Sequence, residues 1–451
     1  MAGITQSTGN FSSESDNNKS YTIPLIIVTA LFFMWGFITC LNDILIPYLK
    51  QVFDLTYTEA MLVQFTFFGA YFIMSLPAGK IVSKIGYKNG IIVGLVTAGV
   101  GCLLFYPAAE TRMYLFFLGA LFVLASGITL LQVAANPYVA ILGKSETASS
   151  RLNLTQAFNS LGTTVAPAFG KVFILAGVVT LTADQLSKLS SAEISQYNLL
   201  HAEVVKIPYI GLGLALFLLA ALIFMANLPK IDLSQGTTEK GSFLGALKQK
   251  HLLLGVICIF MYVGGEVAIG SFLISFLGEP QIAGFSEKMA SNYVAFYWGG
   301  AMVGRFIGAG VLSKVAPGKA LGVCASIVVA LLLVTVTTTG HLAMYSIIGV
   351  GLFNSIMFPT IFTLAIKRLG VNTSQGSSLL VMAIVGGAII PLFQGVLADK
   401  IGVQLAFLLP VLGYLYIAFY GFIGSKPKEE GLVEEVGKFN TPEMEFAESK
   451  I

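Results

Sequence analysis

Twelve apolar stretches, each near the length a helix needs to cross a bilayer, follow one another along these 451 residues. A hydrocarbon core about 30 Å thick takes about 20 helical residues, since lipid leaves every backbone N–H and C=O to be bonded within the segment. The stretches lie at 22–47, 57–79, 89–108, 113–142, 152–176, 206–228, 252–278, 289–313, 319–339, 342–366, 375–398 and 403–424. Charged residues make up only 11% of the chain. Soluble domains carry roughly 25%, so the missing charge implies a surface that faces lipid. The expected fold class is an all-α membrane protein of twelve transmembrane helices. A net charge of +3 gives no reason to expect nucleic acid as a partner.

Charge placement orients the spans. With both termini cytoplasmic, the cytoplasmic side receives 19 of the 26 Lys and Arg residues and the other face seven. That is the asymmetry of the positive-inside rule, which a miscounted span would scramble. The expected location is the bacterial inner membrane. Residues 1–20 read as a disordered cytoplasmic tail, 21–228 as an N-terminal six-helix bundle, 229–250 as a cytoplasmic linker, 251–425 as a C-terminal six-helix bundle and 426–451 as a second cytoplasmic tail. The polar stretch 177–205 reads as an external loop carrying a short surface helix.

The two halves repeat each other. Ala78-Gly79 with Ser83-Lys84 recurs as Gly308-Ala309 with Ser313-Lys314, 230 positions on. Gly127 and Pro137 answer to Gly349 and Pro359 at 222; Gly162, Pro167 and Phe169 answer to Gly386, Pro391 and Phe393 at 224. Parallel six-span repeats place a substrate site near the midplane between two pseudo-symmetric bundles. Gly and Pro supply the bends that such bundles need to open on one side while closing on the other.

Ionisable groups inside a span cost about 2.5–3.5 kcal/mol, so each is a functional candidate. Asp43 lies late in span 1, in FITCLNDILIPYL, and Glu266 lies mid-way along span 7, in YVGGEVAIGSFL. Neither has an evident basic partner in the neighbouring spans, and both are candidates for coupling to a cation. Asp43 also reads as an interfacial carboxylate. Asn42, Gln132, Asn136, Gln156, Asn159 and Asn354 also fall within spans. Gln132 and Asn136 are four apart and Gln156 and Asn159 three apart, so each pair shares a helix face. Pro137 cannot donate a backbone hydrogen bond, which leaves the carbonyl of Val133 without its helical partner. Interhelical bonding would account for any one of these amides. Two stacked pairs on successive spans point to a cavity lining. Amides both donate and accept, which suits a neutral polyhydroxylated ligand, and no Lys or Arg occupies a span centre to attract an anion.

Trp35 and Trp298 are candidates to stack on a sugar ring, with an interfacial-belt or packing role as the alternative. Arg305 and Lys84 read as cytoplasmic latches between helices, and positive-inside anchoring explains the lysine equally well. The cysteines (Cys40, Cys102, Cys258, Cys324) and histidines (His201, His251, His341) show no metal-ligand spacing, so no metal site is expected. No Ser/His or Cys/His constellation falls within the spans, so no enzyme is expected.

The segments FFMWGFITCLNDILIPYLK, GAYFIMSLPAGK, LQVAANPYVAILG, SRLNLTQAFNSLGTTVAP, FYWGGAMVGRFIG, GLFNSIMFPTIF and SQGSSLLVMAIVGGAIIPLFQG resemble the fucose–proton symporter family of the major facilitator superfamily. The resemblance is greater to its bacterial glucose/galactose transporter branch and covers roughly residues 20–425. It implies that Asp43 is the essential span-1 carboxylate and that Gln156 and Asn159 are sugar-contacting amides. The fucose branch has a coupling glutamate where this chain has Gln132, an amide where it has Glu266 and an asparagine where it has Cys40. These departures point toward the glucose/galactose branch.

The expectation is therefore a monomeric secondary transporter importing a small neutral sugar with a proton, by alternating access and without a cofactor. Sodium is the alternative coupling ion, fucose or an N-acetylated hexosamine the alternative cargo, and a drug exporter the alternative class. One co-transported charge contributes about 2.3 kcal/mol per 100 mV, enough for roughly 50-fold accumulation.

Overall fold

The computed structural model of the chain describes residues 22–52, 57–111, 113–169, 190, 206–226, 228–229 and 241–427, without the side chains of 41–61 and Ala168. The tails, most of the external loop and most of the linker fall outside the described residues.

Nine of the described helices are long and apolar enough to cross a membrane. The apolar window Leu62–Thr111 contains two spans. Its helical run, Tyr57–Thr111, turns back at Gly86, whose φ of 81° and ψ of 167° only glycine adopts readily. Two further helices are too polar to qualify, Ala148–Phe169 (span 5) and Glu287–Val311 (span 8). The twelve expected spans are thereby accounted for. Span 1 is Thr22–Val52, span 4 Tyr114–Ile141, span 6 Lys206–Met225, span 7 Lys250–Gly278 and span 9 Pro317–Thr337. Span 10 is broken into Gly340–Asn354 and Met357–Ala365, and span 11 into Thr373–Met382 and Gly386–Ile401. Span 12 covers Val403–Gly424.

The sequence repeat is also a structural one. A Cβ built on Gly162 would stand 2.2 Å from the Phe33 carbonyl oxygen of span 1. One built on Gly386, 224 positions later, would stand 2.1 Å from the Phe260 carbonyl oxygen of span 7. In each half, glycine lets the fifth helix press backbone to backbone on the first, as close packing in lipid favours.

The two matched prolines act alike. Pro137 frees the Val133 carbonyl, which accepts a hydrogen bond from Ser377 Oγ of span 11 at 2.9 Å. Pro359 frees the Ser355 carbonyl where span 10 breaks, and Arg305 Nε donates to it at 3.3 Å. Orphaned backbone acceptors inside a membrane must find a donor. Here one donor comes from the opposite bundle.

The bundles meet at the end where spans 6 and 7 flank the mid-chain linker, called here the linker end. Ser149 Oγ of span 5 pairs with Thr363 Oγ1 of span 10 at 2.6 Å, and Ser150 Oγ donates to the Ala309 carbonyl at 2.6 Å. Asn153 Nδ2 donates to the Arg305 carbonyl at 2.7 Å, and much farther along span 5 Thr164 Oγ1 donates to Met302 Sδ at 3.4 Å. The first part of span 11 packs on spans 2 and 4, whereas its second part packs mainly on span 7. Among the described residues the hydrogen bonds between the halves are thus concentrated toward the linker end. Spans 5 and 8 are polar where they form this seam.

Candidate functional site

In the N-terminal bundle, span 4 places Gln132 and Asn136 four residues apart, both buried. Gln132 Nε2 donates to Tyr71 Oη of span 2 at 2.8 Å, and the Trp35 indole lies within hydrogen-bonding reach of that hydroxyl. Trp35 is itself buried and packs on Phe32, with ring centroids 5.3 Å apart. Gln132 Oε1, both amide atoms of Asn136 and Gln156 Nε2 have no protein partner. A buried polar group costs about 1–3 kcal/mol unless something bonds it, so each of these amides is poised for water or a hydroxylated ligand. Asn159 is more committed, donating through Nδ2 to the Phe32 carbonyl of span 1 at 2.9 Å. Asn42 and Asp43 lie outside the described side chains.

The C-terminal bundle holds a second cluster around Glu266. Tyr262 Oη, one turn earlier, donates to Glu266 Oε1 at 2.8 Å and lies 3.0 Å from the Asn354 carbonyl. Asn354 Nδ2 donates to Tyr297 Oη at 2.9 Å, and the Tyr414 hydroxyl lies within hydrogen-bonding reach of the Asn354 side chain. Tyr297 Oη in turn lies 3.4 Å from the Glu266 carbonyl.

Arg305 corrects two expectations. Glu266 does have a basic partner: Arg305 Nη2 stands 4.0 Å from Glu266 Oε1, with both side chains largely buried. Arg305 is also more than a latch at the membrane edge. Helical side chains lean toward the N-terminus of their helix, and span 8 begins at the end away from the linker, so the guanidinium reaches back toward mid-membrane. There Nη1 donates to Ser160 Oγ of span 5, across the seam. Lys84, by contrast, is exposed, with no hydrogen bond or ion pair to the other half among those of the described residues. The lysine that does bind is Lys88, whose Nζ donates to the carbonyls of Phe224 and Ala226 at the end of span 6.

Trp298 lies one turn from Met302 on the face of span 8 that meets span 5. It is 42% exposed. Gly270 of span 7 makes room for it, since a Cβ there would lie 3.1 Å from the indole.

Tyr71, Tyr262, Tyr297, Tyr414, Ser160 and the fully buried Gln394 of span 11, whose amide also lacks partners, were not singled out from sequence. For Tyr262 a signal existed, since it precedes Glu266 by four. Among the described residues no group of His, Cys, Asp or Glu could hold a metal ion.

The profile of the Major Facilitator Superfamily matches residues 26–384. The chain belongs to this superfamily. It is 55% identical to the glucose/galactose transporter of Brucella abortus (strain 2308), over 94% of this chain and all of that one. It is 37% identical to the L-fucose-proton symporter of Escherichia coli K12, over 92% of this chain and 96% of that one. The crystal structure of the major facilitator transporter FucP in the outward conformation superposes with a TM-score of 0.84. That structure is 37% identical and matches 89% of this chain and 99% of its own. A proton:xylose symporter structure, 11% identical with a TM-score of 0.70, shares the fold. The protein is a multi-pass membrane transporter of two pseudo-symmetric six-helix bundles, not an enzyme.

Proposed function

We propose that this transporter imports a neutral hexose of the glucose/galactose type by proton symport, across a bacterial inner membrane with both termini cytoplasmic. The observation that carries the reading is the set of buried neutral amides on spans 4 and 5, Gln132, Asn136 and Gln156, with donors and acceptors left free. Such groups recognise hydroxyls. The buried cation nearest mid-membrane among the described residues, Arg305, already faces a carboxylate, which leaves nothing to hold an anionic substrate. The name of the Brucella relative points to the same cargo and that of the E. coli relative to the proton. Asp43 and Glu266 are assigned to coupling, and Asn42, Gln132, Asn136, Gln156, Asn159 and Asn354 to the sugar, with Trp35 and Trp298 beside it.

The excess of Lys and Arg puts the linker end in the cytoplasm. The seam then closes the cytoplasmic side, and the sugar enters from outside. Uptake of radiolabelled galactose into proteoliposomes tests the reading, with a pH gradient or a sodium gradient imposed and a panel of competing sugars. Glucose and galactose should compete best under the pH gradient. Accumulation driven by sodium alone selects the other ion, preference for fucose or an N-acetylated hexosamine corrects the cargo, and no sugar transport under any gradient refutes the reading.

A further inference from the structure

Glu266 and Arg305 form the one carboxylate–guanidinium pair inside the spans among the described residues, 13% and 14% exposed. Arg305 has further partners. Its Nη1 donates to Ser160 Oγ and its backbone carbonyl accepts from Asn153 Nδ2 at 2.7 Å, so it is tied twice to the opposite bundle. Its Nε donates to the carbonyl that Pro359 frees in span 10. The other titratable groups facing Glu266 are phenols: Tyr262 on its own span, Tyr297 of span 8 and Tyr414 of span 12. Span 10 brings the neutral Asn354 and Ser355, and span 11 packs there through Gly386 and Ile390. Arg305 is thus the only counter-charge Glu266 has among these residues, and it also bridges the seam.

We infer that Arg305 is the positioning residue through which protonation of Glu266 opens the linker end. This rests on the proposal that Glu266 carries the coupled proton. With Glu266 ionised, the pair is neutral and Arg305 remains against Ser160, holding spans 5 and 8 together. A proton taken from external water onto a Glu266 carboxylate oxygen leaves the guanidinium buried without a counter-charge, a strongly unfavourable state. Water relieves it once spans 5 and 8 part at the linker end. Proton uptake therefore favours the state open on that side, as an importer requires. The proton is lost to the water admitted there, and the pair re-forms as the seam closes.

Full-length protein in proteoliposomes tests this by pulsed EPR. Spin labels go at the exposed linker-end positions Ser145 and Lys314, one in each half, with the four native cysteines replaced. In the wild type the open-to-closed ratio should rise as pH falls, by up to about tenfold per pH unit for one bound proton. Glu266→Gln should be open and insensitive to pH, with a ratio at pH 8 about tenfold above wild type. Adding Arg305→Gln removes the stranded cation, so the double variant should return toward the closed ratio; Arg305→Gln alone should lose the pH response. A double variant as open as Glu266→Gln, or an Arg305→Gln single variant with the wild-type pH response, overturns the inference. If the single variant does not fold, the double variant decides. Failure of the coupling proposal looks different: the wild type would not accumulate hexose on a pH gradient, or Glu266→Gln would keep the wild-type pH response.

Discussion

Asn354 is fully buried, its Nδ2 donates to Tyr297 and its backbone carbonyl accepts from Tyr262. Tyr297→Phe would orphan the amide nitrogen. The loss should be about 1–3 kcal/mol, seen as a lower melting temperature in detergent with the fold intact. Glu266→Gln keeps the acceptor for Tyr262 but cannot release a proton. It should abolish uphill hexose uptake while sparing counterflow exchange, and a variant that still concentrates sugar normally would remove Glu266 from the coupling. At this scale the sequence exposed the acids and amides, because polar residues stand out against an apolar background. It concealed their partners. Tyrosines pass as apolar packing until their hydroxyls are placed, and the reach of Arg305 to Glu266 depends on the lean of a side chain between two spans.

Helices here work in matched pairs. Gly162 and Gly386 play the same part in two bundles, so Gly162→Ala and Gly386→Ala should destabilise alike. Each must push apart two backbones, at about 1–3 kcal/mol, and a melting comparison of the two variants checks the equivalence. Pro137 carries a subtler prediction. Pro137→Ala restores an N–H to compete for the Val133 carbonyl, which weakens the Ser377 tie between the halves. A loss of about 1 kcal/mol should raise the open population at the linker end about fivefold, readable by the same EPR distances. Span count, repeat and the freed Val133 carbonyl were all legible in the sequence, because apolar length and proline chemistry are local. That Ser377 supplies the donor was not, since it lies 244 residues away. Nor was the low apolarity of spans 5 and 8 readable as a seam until the two helices were seen in contact.

Across the whole molecule, the seam combines hydroxyls, amides and one guanidinium with a limited apolar contact, Phe158 of span 5 edge-on to Phe306 of span 8 at 5.8 Å between ring centroids. Polar contacts of this kind can exchange for water at modest cost, because net hydrogen-bond contributions are about 0.5–1.5 kcal/mol each, which suits an interface that must separate in every cycle. In this mechanism sugar and proton cross together. The direct measurement is the pH of a weakly buffered medium when galactose is added to unenergised proteoliposomes holding the transporter. Proton symport predicts prompt alkalinisation outside, abolished by a protonophore. Galactose entry with no pH change, or entry that requires sodium, would contradict it.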